Sequence, residues 1–452
     1  MKRLTEGNIW KNFILFAIPL ILSGLLSTAY TMIDTMIAGH YLGEEGLAAT
    51  GATSSMVTFV SSLFWGYMVG FGMYIARLFG EGAHDLIRRG TWVHFGFCTV
   101  LCLGVTLFSV IFCDPLLHFL NVDAQIWNDA KEYFLIYILG FCLFIFNANA
   151  VFLLGSVGDS AFPFYMSLIS SVLNVGGNIL SVTVLDMGVG GIAWSSVISA
   201  GIVSVFYLLR FRSIFRKLLP NGSRLKWNFI ETKIALPYSL PPILQQGVIY
   251  VVGLMFSPMI NGLGSEAIAS YMVSTQIFGL ISTMYQNSSR SVSNYTAQCL
   301  GSPFENAEMR RRLRMGIGVG LVQSVSFAIL VMIPCLIFPE FTASIFFAKG
   351  SAQESIALTV FCQRVFLPFT LFNVVTNLFH GVFRAVKAKG LLIFSTVFSS
   401  VVRIAVSFPL MVKYGLNGFW AGMVIAWFAE ALMLGVVYFK DWWMPRELRK
   451  SK

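Results

Sequence analysis

From Phe13 to Ala38 the chain reads FILFAIPLILSGLLSTAYTMIDTMIA, with Asp34 its only formal charge. A hydrocarbon core of about 30 Å takes roughly 20 helical residues to cross. The stretch is long enough, and its apolar residues run on without alternating, so it reads as a transmembrane helix and not as a barrel strand. Working outward, similar stretches recur at 47–75, 91–113, 131–155, 162–185, 189–211, 234–258, 267–298, 315–338, 357–383, 390–412 and 416–439. The expected fold is an all-α polytopic membrane protein with twelve spans. Composition agrees: 56% of residues are hydrophobic and 12% charged, about half the charge of a soluble domain, so lipid must solvate most of the surface. The first run is too long for the apolar core of a cleavable signal and opens a series of others, so it is expected to remain.

A net charge of +10 raises the question of a nucleic-acid partner, and the placement of the charge argues against one. With the N-terminus assigned to the cytoplasm and the spans alternating, 25 of the 31 Lys and Arg fall on the inner side. Lys131, Lys349 and Lys413 fall outside, and Arg290, Arg364 and Arg403 lie within spans. That asymmetry is what the positive-inside rule requires of a plasma-membrane protein with both termini cytoplasmic. The seven cysteines (98, 102, 113, 142, 299, 335 and 362) lie in or at the ends of spans without paired spacing, and read as small apolar residues.

Three patterns occur twice. The segment from Gly43 to Ala49 resembles that from Gly264 to Ser270, at an offset of 221. Ala76 to Gly80, followed by Arg88-Arg89, is echoed at the same offset by Ala297 to Gly301, followed by Arg310-Arg311-Arg312. Gly188-Val189-Gly190-Gly191 matches Gly415-Leu416-Asn417-Gly418 at 227. Six spans therefore repeat, and because six is even both copies cross in the same sense. Two six-helix lobes related by a pseudo-two-fold axis along the membrane normal are expected, with a binding site between or within them. The expected domains are an N-terminal lobe over 1–211, a basic cytoplasmic linker over 212–233 centred on Pro220-Asn221-Gly222-Ser223, a C-terminal lobe over 234–439 and a basic tail over 440–452. Arg77 through Arg89 superficially resembles the basic loop of major facilitator proteins, but the spacing is wrong for that loop, and its second copy begins with the Ala-x-x-x-Gly element.

In register, these elements resemble the multidrug and toxic compound extrusion family, the MATE transporters, over essentially the whole chain. The match is carried by Pro19, Asp34-Thr35-Met36-Ile37-Ala38-Gly39 with Leu47-Ala48-Ala49, the duplicated Ala-x-x-x-Gly, and the duplicated Gly-rich entries to spans six and twelve. The resemblance implies alternating access and export of amphipathic, often cationic compounds, driven by an inward proton or sodium gradient. A small-molecule substrate, surrounding lipid and a monomeric state are expected, with no cofactor beyond the coupling ion.

Beyond the first two residues of any span, only two carboxylates lie within the spans, Asp34 and Glu430. An ionised group in hydrocarbon costs at least about 2.5 kcal/mol, which makes each a functional candidate. Asp34 is some four residues from the outer end of its span, so snorkelling to the headgroups is the plain reading. Asn174 and Asn178 on the fifth span, spaced i,i+4, share one face, and two amides facing lipid would be costly. The resemblance places Asp34, Asn174, Asn178 and the hydroxyl of Ser196 around one cation site. Sodium needs several hard oxygens, which these residues and a backbone carbonyl near Ile192 can supply, whereas a proton needs only Asp34. Asn178 stands where some relatives carry aspartate, leaving one negative charge and favouring a single proton or a site open to either ion. Some relatives also carry acids on spans seven and ten. Those positions are Gln245 and Asn373 here, which argues against a carboxylate site in the C-terminal lobe and leaves two amides able to bond a substrate.

Glu430 is expected to form a structural ion pair with Arg403 on the neighbouring span, and Arg290 and Arg364 to snorkel. Tyr30, one turn before Asp34, and Tyr250 are cavity candidates. Pro19 and the Pro237, Pro241 and Pro242 cluster should kink spans one and seven. Two rival functions differ in their chemistry. A flippase for a lipid-linked or amphipathic substrate would favour a strongly cationic cavity. A membrane-bound transferase would need clustered acids or histidines, whereas His40, His84, His94, His118 and His380 are scattered, so no enzyme is expected.

Overall fold

The computed structural model describes residues 4–42, 46, 49–51, 54–120, 122, 124–218, 230–347 and 353–450, and among these every regular element is helical. In order they are α1 (Ile9–Tyr41), α2 (Ser54–Glu81), α3 (His84–Ile111), α4 (Cys113–Phe119), α5 (Trp127–Leu139), α6 (Phe141–Ser156), α7 (Ala161–Thr183), α8 (Gly188–Leu218) and α9 (Ile230–Asn261). There follow α10 (Ser265–Gly301), α11 (Asn306–Ile337), α12 (Pro339–Ser344), α13 (Gln353–Phe366), a 3-10 turn (Leu367–Phe369), α14 (Thr370–Ala385), α15 (Lys389–Tyr414), α16 (Leu416–Phe439) and α17 (Arg446–Lys450). Ten stretches are long and apolar enough to cross a bilayer, with α13 to α14 counting as one, and the bent pair α5 and α6 makes an eleventh. The 28-residue α2 completes the twelve, since at 1.5 Å per residue it reaches about 42 Å.

The fourth and tenth spans are broken, which continuous apolar runs did not suggest. The bend between α5 and α6 is 48°, at Gly140, where a Cβ would lie 2.4 Å from the Val197 side chain of α8. Glycine lets the two backbones approach there. The tenth span breaks at Pro368, which cannot donate a helical hydrogen bond.

The chain divides into two compact units, residues 22–239 and residues 3–21 with 240–452. The sequence reading put the whole of 1–211 in one lobe; the division instead falls inside α1 and inside α9. Both division points lie within three residues of a proline, Pro19 in α1 and Pro241 in α9. Helix α8 runs on to Leu218 and α9 begins at Ile230, so the centre of the expected linker lies outside the described residues, as do residues 43–45, 47 and 48 of the first repeated pattern.

Each unit buries its own apolar core. In the first, Phe64, Met68, Cys102, Ile138, Phe141 and Ile145 pack together; in the second, Phe256, Tyr285, Phe366, Phe419, Trp420 and Trp427 are central. Large apolar side chains also face outward, Val412 at 82% exposure and Phe439 at 83% among them. In water such a surface would aggregate, and in lipid it is the solvated face. All seven cysteines are free.

The Gly-rich repeat has a structural cause. Gly188 and Gly415 open α8 and α16 at φ of 55° and 56°, a region that favours glycine. Three residues on, a Cβ on Gly191 would lie 2.8 Å from Ser181, and one on Gly418 2.1 Å from the Leu410 carbonyl oxygen. A turn glycine followed by a contact glycine closes each final helical hairpin.

Candidate functional site

Within the first unit α1 and α7 are joined by a hydrogen bond between Ser23 and Ser167, 2.5 Å long. Farther along the same two helices, Asn178 Nδ2 donates to Asp34 Oδ1 at 2.5 Å. Asn174 is one turn away on α7, its Oδ1 3.4 Å from Asn178 Nδ2. Its own Nδ2 donates to Ser196 Oγ of α8 at 2.9 Å, and Ser196 donates to the Ile192 carbonyl at 3.2 Å. Asn174, Asn178 and Ser196 are buried and Asp34 is half-buried. The four residues singled out in the sequence thus form one continuous polar chain, ending at the backbone carbonyl expected beside it.

That chain holds one carboxylate among neutral oxygens. Among the described residues Asn178 Oδ1 is buried and accepts no hydrogen bond, a condition that costs about 1–3 kcal/mol unless a proton donor or a cation meets it. The donor set of Asp34, two amide oxygens, a hydroxyl and a carbonyl suits a monovalent ion or a proton. Among the described residues no group of three His, Cys, Asp or Glu side chains could hold a metal, so the acidic ligands of a divalent site are not assembled. A cavity of about 430 Å³ opens beside the chain, walled by Tyr30, Trp65, Tyr137, Asn174 and Ser196. Two residues of the polar chain are therefore also cavity wall.

The MatE family model matches this sequence over residues 19–180 and 241–408. The chain belongs to the MATE family. The two matched stretches begin 222 residues apart, at Pro19 and Pro241, close to the repeat offsets. Similar curated proteins include the probable multidrug resistance protein YoeA of Bacillus subtilis, 24% identical over 99% of this chain and 96% of its own. The multidrug export protein MepA of Staphylococcus haemolyticus is 23% identical, with 96% and 94% covered. Among solved structures, an outward-facing multidrug resistance MATE transporter superposes with a TM-score of 0.87 at 18% identity, covering 99% of this chain and 98% of that one. The Vibrio cholerae MATE transporter VcmN in its bent form gives 0.84 at 14%, with 95% and 96% covered. The protein is a multi-pass membrane protein with the MATE fold.

The second unit of this MATE protein corrects one expectation. Glu430 does not pair with Arg403; its Oε1 lies 2.9 Å from Nε2 of His380 on α14. Arg403 instead stacks over Phe256 and Phe419, 5.1 and 5.3 Å from their ring centres. Depth explains this. The turn between α15 and α16 is at Gly415, so Arg403 is twelve residues from it and Glu430 fifteen, a mismatch of about 4.5 Å along the helices. Gln245 joins the His380 cluster, while Asn373 accepts hydrogen bonds from Tyr285 and Asn377 at 2.5 and 2.8 Å. The two amides are therefore not neighbours in one site. Tyr250 is half-buried on α9 and is not among the residues that wall the Tyr30 cavity. Arg364 is exposed, whereas Arg290 turns inward, donating to Asn287 at 3.1 Å.

Three aromatic residues around the N-terminal site were missed. Tyr133 and Tyr137, i,i+4 on α5 and stacked at 5.9 Å, stand close enough to Asp34 to sense its charge, and Trp65 lines the cavity. The i,i+4 tyrosine pair was the available signal.

Proposed function

We propose that this protein is a secondary active exporter of amphipathic or cationic compounds that works by alternating access, coupled to inward flow of H+ or Na+ through Asp34. One observation carries the reading: the Asp34, Asn178, Asn174, Ser196 chain borders the cavity, and Asn174 and Ser196 belong to both. An ion held on the chain and a substrate held in the cavity then share a wall, so binding of one changes the free energy of the other, which is what exchange requires. A cationic substrate beside the only carboxylate of that chain competes directly with the coupling ion. The multidrug resistance and multidrug export names of the relatives support the substrate class. The basic inner loops support a plasma-membrane location with both termini cytoplasmic, and a monomer is the simplest working unit.

Proteoliposomes loaded with a cationic dye test the reading. An imposed inward proton or sodium gradient should drive efflux, and Asp34→Asn should abolish the gradient-driven part while leaving the protein folded. If neither gradient drives efflux, or the Asn variant transports as well as the parent, the coupling role of Asp34 is refuted.

A further inference from the structure

The second unit buries a polar chain that crosses four helices and that the exporter reading leaves unused. Arg384 Nη1 on α14 donates to Gln245 Oε1 on α9 at 3.0 Å, and Gln245 Nε2 lies 3.0 Å from His380 Nδ1. His380 Nε2 lies 2.9 Å from Glu430 Oε1 on α16 and 3.0 Å from Ser395 Oγ on α15. Gln245, Ser395 and Glu430 are 3%, 0% and 3% exposed and His380 is 9%.

The directions of these bonds follow from one fact. A guanidinium can only donate, so the Gln245 atom facing Arg384 is the amide oxygen and the one facing His380 is the amide nitrogen. That nitrogen donates, so His380 Nδ1 carries a lone pair and its proton is on Nε2. Ser395 spends its hydroxyl hydrogen on the Leu392 carbonyl, at 3.1 Å, and therefore accepts alongside Glu430. As arranged here His380 is neutral, and no flip of Gln245 lets Nδ1 take a proton, because a flip would set an amide NH2 against Arg384.

We infer that His380, with Glu430, is a second proton-binding site of this transporter, located in the C-terminal unit, and that binding a proton there and keeping Gln245 of α9 against α14 exclude each other. The incoming proton forms an N–H bond at Nδ1, and Gln245 must withdraw as it does so. The resulting imidazolium keeps its Nε2–H bond to the Glu430 carboxylate, a charge-assisted pair. The charges around the site reinforce the exclusion. Arg384 faces it from α14 itself, Arg290 of α10 lies within electrostatic reach of Arg384, and Glu430 is the facing carboxylate from α16. The facing groups of α9 and α15, Gln245 and Ser395, are neutral. Helix α11 carries its charges in its first turns, where Arg310 and Arg314 engage Asp441 and Arg312 engages Glu308. Among the described residues the Arg384 guanidinium makes no other hydrogen bond and its Nε is buried without a partner, so Gln245 is what anchors it beside His380. When Gln245 leaves, the guanidinium is free to retreat from the new cation. Helix α9 is suited to move: Pro237, Pro241 and Pro242 precede Gln245 and remove three helical donors.

The place of this site in a transport cycle rests on the exporter reading, but the site itself is testable without transport. Histidine-selective nitrogen-15 NMR of the full-length protein in lipid nanodiscs, with His380 assigned through His380→Gln, should show the Nε2–H tautomer at about pH 8 and a doubly protonated ring by about pH 5. Amide exchange in α9 around Gln245 should rise with that charging in the parent and not in His380→Gln. Gln245→Glu replaces the donor by an acceptor, so His380 should then carry both protons at pH 8 with α9 protected throughout. An Nδ1–H tautomer, a ring that stays neutral to pH 5, or charging without increased exchange in α9 overturns the inference. In proteoliposomes His380→Gln should accumulate about tenfold less substrate per pH unit of gradient than the parent. Unchanged accumulation there, while Asp34→Asn abolishes transport, removes the coupling role of His380 alone. Loss only in the His380 variant removes the Asp34 reading alone.

Discussion

Asn178 sets the charge of the N-terminal site. With an amide there, the polar chain carries one carboxylate, and a proton or a single monovalent cation neutralises it. Asn178→Asp should convert the site to a stronger sodium binder, since a second carboxylate adds a hard anionic ligand at the same place. Sodium dependence of dye efflux should shift to lower concentrations by roughly tenfold, an interaction gain of about 1.4 kcal/mol. An unchanged sodium dependence would show that the ion does not visit Asn178. Helical spacing puts Asn174 and Asn178 on one face, but it is the family resemblance that implies Asp34 and Ser196 beside them, so this part of the site was legible through both. The partner of Glu430 was not. Choosing between Arg403 and His380 required the relative depth of three helices, and the proton position on His380 required a guanidinium on a fourth contact, Gln245. Neither depends on local sequence.

Among elements, the end of α16 and the start of α11 are tied by a cluster whose pH response has a definite sign. Burial by itself would raise the Asp441 carboxyl. The hydrogen bonds and charges of Arg314 and Arg310, at 2.8 and 2.6 Å, outweigh it and hold the group below the usual carboxylate range. A depressed folded value means the tie is fully present above the unfolded value, near pH 4, and is lost as pH falls through the folded one. Asp441 also sits at φ 56°, a conformation asparagine shares readily. Asp441→Asn therefore removes charge without adding backbone strain, and should cost about 2 kcal/mol at neutral pH, less if the half-exposed Arg314 contributes little. Thermal unfolding in detergent should show the variant and parent converging below about pH 4; a constant gap at all pH values would mean the carboxylate charge is not what matters. The helices themselves were readable from apolar run length, with limits. Gly140 and Pro368 break the fourth and tenth spans, and the apolar runs there continue straight through both residues. The hairpin glycines were noticed as repeats, yet their reason, positive φ at Gly188 and Gly415 and contact at Gly191 and Gly418, is geometric.

At the scale of the molecule, chain order and packing units do not coincide. Residues 4–21 precede the whole first unit in sequence yet pack with the second. The Leu4 backbone nitrogen donates to Gln298 Oε1 at 2.9 Å, Arg312 Nη1 donates to the Thr5 carbonyl at 3.0 Å, and Gln323 Nε2 donates to the Phe13 carbonyl at 3.3 Å. Phe13 is fully buried, edge-on to Tyr295 at 5.2 Å and close to Gly320, where α11 has no side chain to obstruct it. The repeat offsets imply two consecutive six-span halves, and nothing in an apolar run announces that its first turns belong to the other half. The consequence can be measured in the intact protein. Phe13→Ala leaves a cavity between α1, α10 and α11 and should cost about 3–5 kcal/mol by analogy with buried aromatic truncations. Because the lost contacts belong to the second unit, hydrogen exchange should accelerate in α10 and α11 while α2, α3, α6, α7 and α8 keep their protection. Acceleration spread equally over both units, or confined to the first, would contradict the assignment of the N-terminal residues. The predicted pattern follows because the two ends of α1 answer to different cores, so a substitution twenty-one residues before Asp34 acts on the unit that does not contain it.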